Sequence, residues 1–342
     1  MSKGKRAKLL FDPYPRSMDL IFTERDRQRF ESLFDIVSWE GERMPDSMVE
    51  EHIGDSFAIV GQTNLPTSRL LKAKRLKAIV NVEGNFLQNI DYDYCFSHGI
   101  YVLNAGVAFS RAVAEISLGF AISLAREIVP NDRLFREGRE RYGRASNAGS
   151  FLLAGKNVGI IGLGNVGRAL LKLLSPFAAS ISVYDPWLPD NYLRELGCRP
   201  VSLSRLLSDS KVIFILAGAT SENRAMLGEK GFSLIESGSI LILASRASLV
   251  DFDAMTRRLK KGDIRAAIDV FPEEPYGKES TLRKLDNVIL SAHRAGGIDE
   301  AYKLMGEMVT DDLELILRGL PPVRLQRASR ETVVKMASRP VG

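Results

Sequence analysis

The sequence predicts an α/β protein made of two doubly wound parallel-sheet domains, the second inserted into the first. Three observations predict it. Short apolar strand-like runs alternate with helical stretches along most of the chain, as they do where crossover helices join parallel strands. The alternation comes in two series, of five and six strands, and two long helical patterns carry the chain between them. A length of 342 residues, 45% of them hydrophobic and 26% charged, suits two folded domains and is far from the composition of a disordered chain.

The first series places strands at residues 8–12, 34–39, 57–61, 78–82 and 100–104, with amphipathic stretches at 24–33 and 47–53. Residues 112–128, apolar around most of their circumference, read as a long buried helix leading into the second domain. Residues 135–149 are polar, Arg-rich and aperiodic: an exposed loop, or an arm that embraces a second subunit. The second series places strands at 157–162, 180–185, 211–217, 239–245, 266–270 and 288–292. A helical pattern over 299–318, stopped by Gly319, Pro321 and Pro322, returns the chain to the first domain. The expected domains are therefore 1–106 with 300–342, and 107–299.

Composition narrows the function. Clean apolar runs stay strand-length, short of the roughly 20 residues that cross a bilayer, and the first 16 residues lack the apolar core of a secretion signal. A cytosolic location is the default. Cys95 and Cys198 stand far apart and in no metal-ligand spacing, so both read as packing residues and no metal is expected. The net charge of +5 is concentrated at the ends: Lys3, Lys5, Arg6 and Lys8 give the first ten residues +4, and residues 319–342 carry another +4, leaving a body at −3. Such ends are expected to be solvated tails, and no basic stripe points to nucleic acid.

Residues 158–167, Val-Gly-Ile-Ile-Gly-Leu-Gly-Asn-Val-Gly, are a buried strand running into G-x-G-x-x-G and a helix. Gly162 permits the tight turn, Gly164 the approach of a pyrophosphate, and Gly167 close helix–strand packing; the amides of Asn165 and Val166 begin the positive helix end. The next strand ends in Asp185, 18 residues after Gly167, where a carboxylate can accept from ribose hydroxyls. The same charge repels a 2′-phosphate, so NAD is expected rather than NADP. The alternative for Asp185 is a turn-capping role before Pro186.

Three further segments lie at predicted strand ends: residues 243–251 with Arg246, 268–275 with Asp269 and Glu274, and 291–297 with His293. An arginine, a carboxylate and a histidine thereby reach one rim, where open parallel sheets bind their ligands. With the glycine turn, these segments resemble the D-2-hydroxyacid dehydrogenase family, in its phosphoglycerate dehydrogenase-like and hydroxypyruvate/glyoxylate reductase-like branch. That family reads G-x-G-x-x-G, A-R-G-x-x-V-D, D-V-F-x-x-E-P and P-H-x-A-G in this order; Asn89-Ile90-Asp91 and Val113-Ala114-Glu115 extend the resemblance upstream.

The resemblance implies a Rossmann cofactor domain inserted into a flavodoxin-like substrate domain, NAD(H)-dependent interconversion of a small D-2-hydroxy acid and its 2-keto acid, and a homodimer. It makes Arg246 the substrate arginine, Glu274 the support of the histidine and His293 the acid/base. Ala244 and Asp269 join the cofactor-binding set, Asp269 beside the nicotinamide carboxamide, and Gly84 and Asn85 offer substrate-binding amides. The chemistry needs these types. Hydride arrival at C2 leaves charge on the carbonyl oxygen; an imidazole can protonate it, a carboxylate orients and charges the imidazole, and a guanidinium fork holds the acid.

The chain departs from the pattern in places. Ala247 replaces a glycine, and Ala292 replaces a proline, which loosens the backbone before the histidine. Residues 216–220, Leu-Ala-Gly-Ala-Thr, stand where the family often has L-H-x-P-L-T and are expected to form a looser loop. Phe86 replaces a glycine and is expected to narrow the pocket or wall it. Arg294 either reaches a second anionic group of the substrate or is simply solvated. His52 and His98 read as surface residues. One rival reading is a dinucleotide-sensing, corepressor-like protein. The others are formate and phosphite enzymes, and Glu274 argues against the formate type, which has glutamine there.

Overall fold

In the computed structural model, which describes residues 6–39 and 41–336, the chain divides into one unit of Met1–Phe109 with Ile298–Gly342 and another of Ser110–Gly297. The first division falls three residues later than the expected 106/107. The reason is that the 3₁₀ turn Gly106–Phe109 stays with the first unit, where Ala108 joins its core.

The first unit is built on β1 (Ala7–Asp12), β2 (Phe34–Ser38), β3 (Ser56–Gly61), β4 (Ala78–Asn81) and β5 (Tyr101–Asn104). Its parallel order is β2-β1-β3-β4-β5, a doubly wound arrangement. Leu9, Leu10 and Phe11 are all buried because β1 is covered on both faces: Leu9 and Phe11 enter one apolar cluster and Leu10 the other. The helix Glu24–Leu33 starts where the Thr23 hydroxyl accepts from the Asp26 amide at 3.1 Å, and it buries Phe30. The helix Asp299–Leu317 adds Met305, Met308, Val309, Leu313 and Ile316 to the same core, at helical spacing.

The second unit carries β6 (Asn157–Ile161), β7 (Ser180–Tyr184), β8 (Arg199–Pro200), β9 (Val212–Ile215), β10 (Ile240–Leu243), β11 (Arg265–Ile268) and β12 (Val288–Leu290). All are parallel, in the order β12-β11-β10-β9-β6-β7-β8. The winding reverses between β6 and β9, so a crevice opens beyond their carboxyl ends. The expected long helix is Ser110–Ala125, packed against the helix Asn165–Leu174, β10 and β11. One expectation is corrected here: the helical stretch Gly106–Ala125, 20 residues of mean hydropathy 1.5, is long and apolar enough to cross a membrane. It carries Arg111 and Glu115, and its packing is that of a core helix.

Residues 135–149 are not wholly irregular: the helix Ile128–Arg136 enters them and a 3₁₀ turn, Gly143–Asn147, follows. The C-terminal segment is not a solvated tail either. Buried Asp312 accepts from the amides of Val323, Arg324 and Leu325 at 2.7–3.1 Å, which turns the chain back onto the first unit. There β13 (Gln326–Arg327) pairs antiparallel with β5, and the guanidiniums of Arg327 and Arg330 sit over the rings of Tyr101 and Phe96. Lys3, Lys5 and Arg339, part of the charge assigned to the tails, lie outside the described residues. Cys95 and Cys198 are free and buried, and burial pushes the Cys95 thiol up to about 12 and raises that of Cys198.

Candidate active site

From β6 the chain passes through Gly162, Leu163 and Gly164 into the helix Asn165–Leu174. Gly162 has φ +87°, and a Cβ there would lie 2.4 Å from Ala217 Cα, so no other residue fits. Gly164 differs: it is exposed, caps the helix, and a Cβ added to it would meet nothing within 4 Å. The space in front of it is what a close-approaching pyrophosphate requires, at the positive end of a helix that Asn165 and Val166 begin. Asp185 follows β7, the neighbour of β6, and its Oδ2 accepts from the Leu163 amide at 2.8 Å while Oδ1 accepts from the Trp187 amide at 2.9 Å. The turn role weighed as the alternative is therefore present. It leaves each oxygen a second lone pair for a ribose hydroxyl, so the residues fit a dinucleotide.

The loop after β9 is not loose. The Asn223 side chain accepts from the Thr220 amide and donates to the Gly218 carbonyl, both at 2.8 Å, and closes residues 218–223 on themselves.

The neighbouring strands β10, β11 and β12 deliver the other residues to one carboxyl edge. Ala244, buried, follows β10 and leads to Arg246, whose Nη1 donates to the Ser245 carbonyl at 2.8 Å. Asp269 and Glu274 follow β11, and His293 follows β12. His293 Nδ1 and Glu274 Oε2 are 2.6 Å apart, and Glu274 Oε1 accepts from the Phe271 amide at 3.0 Å. A carboxylate can only accept, so Nδ1 carries the hydrogen and Nε2 is the nitrogen left for chemistry. The imidazole is half exposed within its unit.

Asp269, which the resemblance sets beside the nicotinamide carboxamide, is also bonded to the loop that carries His293. It is 1% exposed, and its carboxylate accepts from Ser291 Oγ and from the amides of Arg294 and Ala295, the last two at 3.1 Å; its own carbonyl accepts from the His293 amide at 2.8 Å. These bonds hold His293 at φ +48°, in the left-handed region that residues with a side chain adopt uncommonly, histidine more readily than most. The restriction lost with Ala292 is thus supplied by Asp269. Ser291 was missed because nothing in the local sequence ties it to a carboxylate 22 residues earlier.

Gly84 and Asn85 belong to the first unit, beyond β4, whereas Arg246, Glu274 and His293 belong to the second. Asn81 closes their loop from both ends, accepting from the Glu83 amide at 2.9 Å and donating to the Asn85 carbonyl at 2.8 Å; Arg16 pairs with Glu83 at 3.1 Å. Phe86 neither narrows nor walls a pocket. At 2% exposure it turns into the core of its own unit, edge-on to Tyr92 at 6.4 Å, because an apolar ring next to a polar loop gains most by burial. His98 is exposed and stacked on Tyr94 at 3.9 Å, and His52 is partly exposed. Among the described residues no group of three or more His, Cys, Asp or Glu is placed to hold a metal.

Residues 118–295 match the family model of the D-isomer specific 2-hydroxyacid dehydrogenase, NAD binding domain. The chain belongs to the D-isomer specific 2-hydroxyacid dehydrogenase family. A glyoxylate reductase of Korarchaeum cryptofilum is 30% identical over 305 residues, 87% of this chain and 92% of its own. A D-3-phosphoglycerate dehydrogenase of Methanocaldococcus jannaschii is 32% identical over 276 residues, and the chain spans 51% of that relative's length. Among solved structures, a phosphoglycerate oxidoreductase from Rhizobium etli has 44% identity and a TM-score of 0.87, over 96% of this chain and 100% of that one. The D-2-hydroxyacid dehydrogenase is thus an NAD-binding oxidoreductase with two parallel-sheet α/β domains.

Proposed function

We propose that the protein interconverts a small 2-keto acid and its D-2-hydroxy acid, with His293 as acid/base, Glu274 holding its ring and Arg246 binding the acid. NADH, when bound, supplies the hydride for C2. Arg246 offers two parallel N–H donors to the carboxylate or keto oxygen, which orients and polarises it. His293 keeps Nδ1 on Glu274 and delivers a proton from Nε2 to the keto oxygen; in the oxidation it takes that proton back. The amides around Gly84 and Asn85 receive the substrate carboxylate, and Asp185 the ribose hydroxyls. The observation that carries the reading is the 2.6 Å contact between His293 and Glu274 on the edge of the sheet that bears the glycine turn.

The test is a panel of 2-keto acids with NADH and with NADPH. Turnover with NADH is expected, and Asp185→Ala is expected to lose its selectivity over NADPH. If no keto acid is consumed while NADH binds, the regulatory reading replaces the enzymatic one. A wild type that prefers NADPH refutes the role of Asp185.

We further propose a homodimer and a cytoplasmic location. The excursion 128–150 is tied at its base, where the Phe151 amide meets the Ala125 carbonyl at 2.9 Å and Arg265 donates to the Gly149 carbonyl at 2.8 Å. Along and just beyond it Ile128, Phe135, Tyr142 and Leu152 are 52–77% exposed, which suits an interface better than open solvent. Sedimentation should give twice the chain mass, and Phe135→Ser with Tyr142→Ser should weaken the association. The two free thiols suit a reducing compartment.

A further inference from the structure

We propose that Arg294 receives a second anionic group of the substrate, so that the preferred 2-keto acids are dianions carrying a carboxylate or phosphate monoester at the end remote from the keto acid. This rests on the reaction proposed above. Arg294 follows His293 directly, its Cα about 3.8 Å further along the chain, and its place is fixed. Its amide donates to Asp269 Oδ1, the next amide donates to Oδ2, and Ala295 beyond it is buried. The loop therefore cannot shift Arg294 without shifting the imidazole.

The Arg294 side chain is exposed, and its guanidinium takes part in none of the hydrogen bonds, ion pairs or ring contacts of the described residues. Two carboxylates of the same edge are engaged: Glu274 by His293 and the Phe271 amide, Asp269 by the loop itself. The charge of Arg294 is thus left for something outside the chain. A guanidinium fork matches carboxylate and phosphate oxygens. Arg246 is assigned to the keto acid head, so a monoanion uses one of the two forks and a dianion both.

The experiment compares kcat/KM with NADH on matched pairs: 2-ketoglutarate with 2-ketobutyrate, oxaloacetate with pyruvate, and 3-phosphohydroxypyruvate with hydroxypyruvate. In Arg294→Ala the dianion-to-monoanion ratio is expected to fall about 10- to 100-fold, the worth of a charge-assisted hydrogen bond. Arg294→Lys should recover part of it, and added salt should erode the wild-type ratio. The pair with the largest fall tells carboxylate from phosphate. A ratio unchanged in every pair, or both members of each pair falling together, overturns the role of Arg294 while leaving the dehydrogenase reading intact. A wild type that binds NADH and turns over none of the six acids overturns the reaction and this inference with it.

Discussion

His293→Ala is expected to lower kcat for 2-keto acid reduction by about 10²- to 10⁴-fold, the contribution typical of a positioned general acid, while NADH still binds. The keto oxygen must then take its proton from water, although Arg246 still polarises it. NADH binding, followed by the fluorescence of the reduced cofactor, separates chemistry from folding: the imidazole is half exposed and leaves no cavity in the core. Glu274→Gln should lose less, because an amide oxygen can still accept from Nδ1 but carries no charge. The two replacements together should cost little more than His293→Ala alone, since Glu274 acts only through the ring. A double variant whose losses multiply would mean that Glu274 serves the reaction independently. A His293→Ala enzyme within about threefold of the wild type would remove the histidine from the chemistry.

What the sequence discloses, and what it does not, follows from the range of the forces involved. β1, β6 and the helix Glu24–Leu33 are legible because burial imprints a local pattern: apolar runs covered on both faces, or one buried ring behind a threonine cap. Gly162 is legible for a steric reason that holds wherever a strand turns so sharply into a helix. β8 and β13 are illegible, being two-residue strands that exist only through a partner strand and bury no apolar side chain of their own kind. The fate of the basic C-terminal segment depends on Asp312, whose capture of three amides 11 to 13 residues away has no local signature. The inward turn of Phe86 and the closure of residues 218–223 by Asn223 belong to the same class. In the candidate site, residue types and order could be read from the chain, but not the bonds that orient them.

Asp269 is where that difference has the largest consequence, and Asp269→Ala is expected to cost about 3 kcal/mol of stability and at least about 10²-fold in kcat. The change strands the Ser291 hydroxyl and the amides of Arg294 and Ala295 in a setting where the carboxylate is 1% exposed. A buried donor left without its partner costs about 1–3 kcal/mol. The second effect runs through the backbone. At φ +48° His293 is in a conformation about 1–2 kcal/mol above its right-handed alternative for a residue with a side chain, and without the carboxylate the loop is free to relax. The ring then leaves Glu274, and a displacement of about 1 Å is enough for a loss of order 10². The melting temperature and kcat should fall together in Asp269→Ala, and Asp269→Asn, which keeps one acceptor oxygen, should lie between it and the wild type. If Asp269 also meets the nicotinamide carboxamide, as the resemblance implies, the KM for NADH should rise in both variants. A protein destabilised by that amount but turning over at the wild-type rate at 25 °C would show that the left-handed histidine is held by something other than this carboxylate.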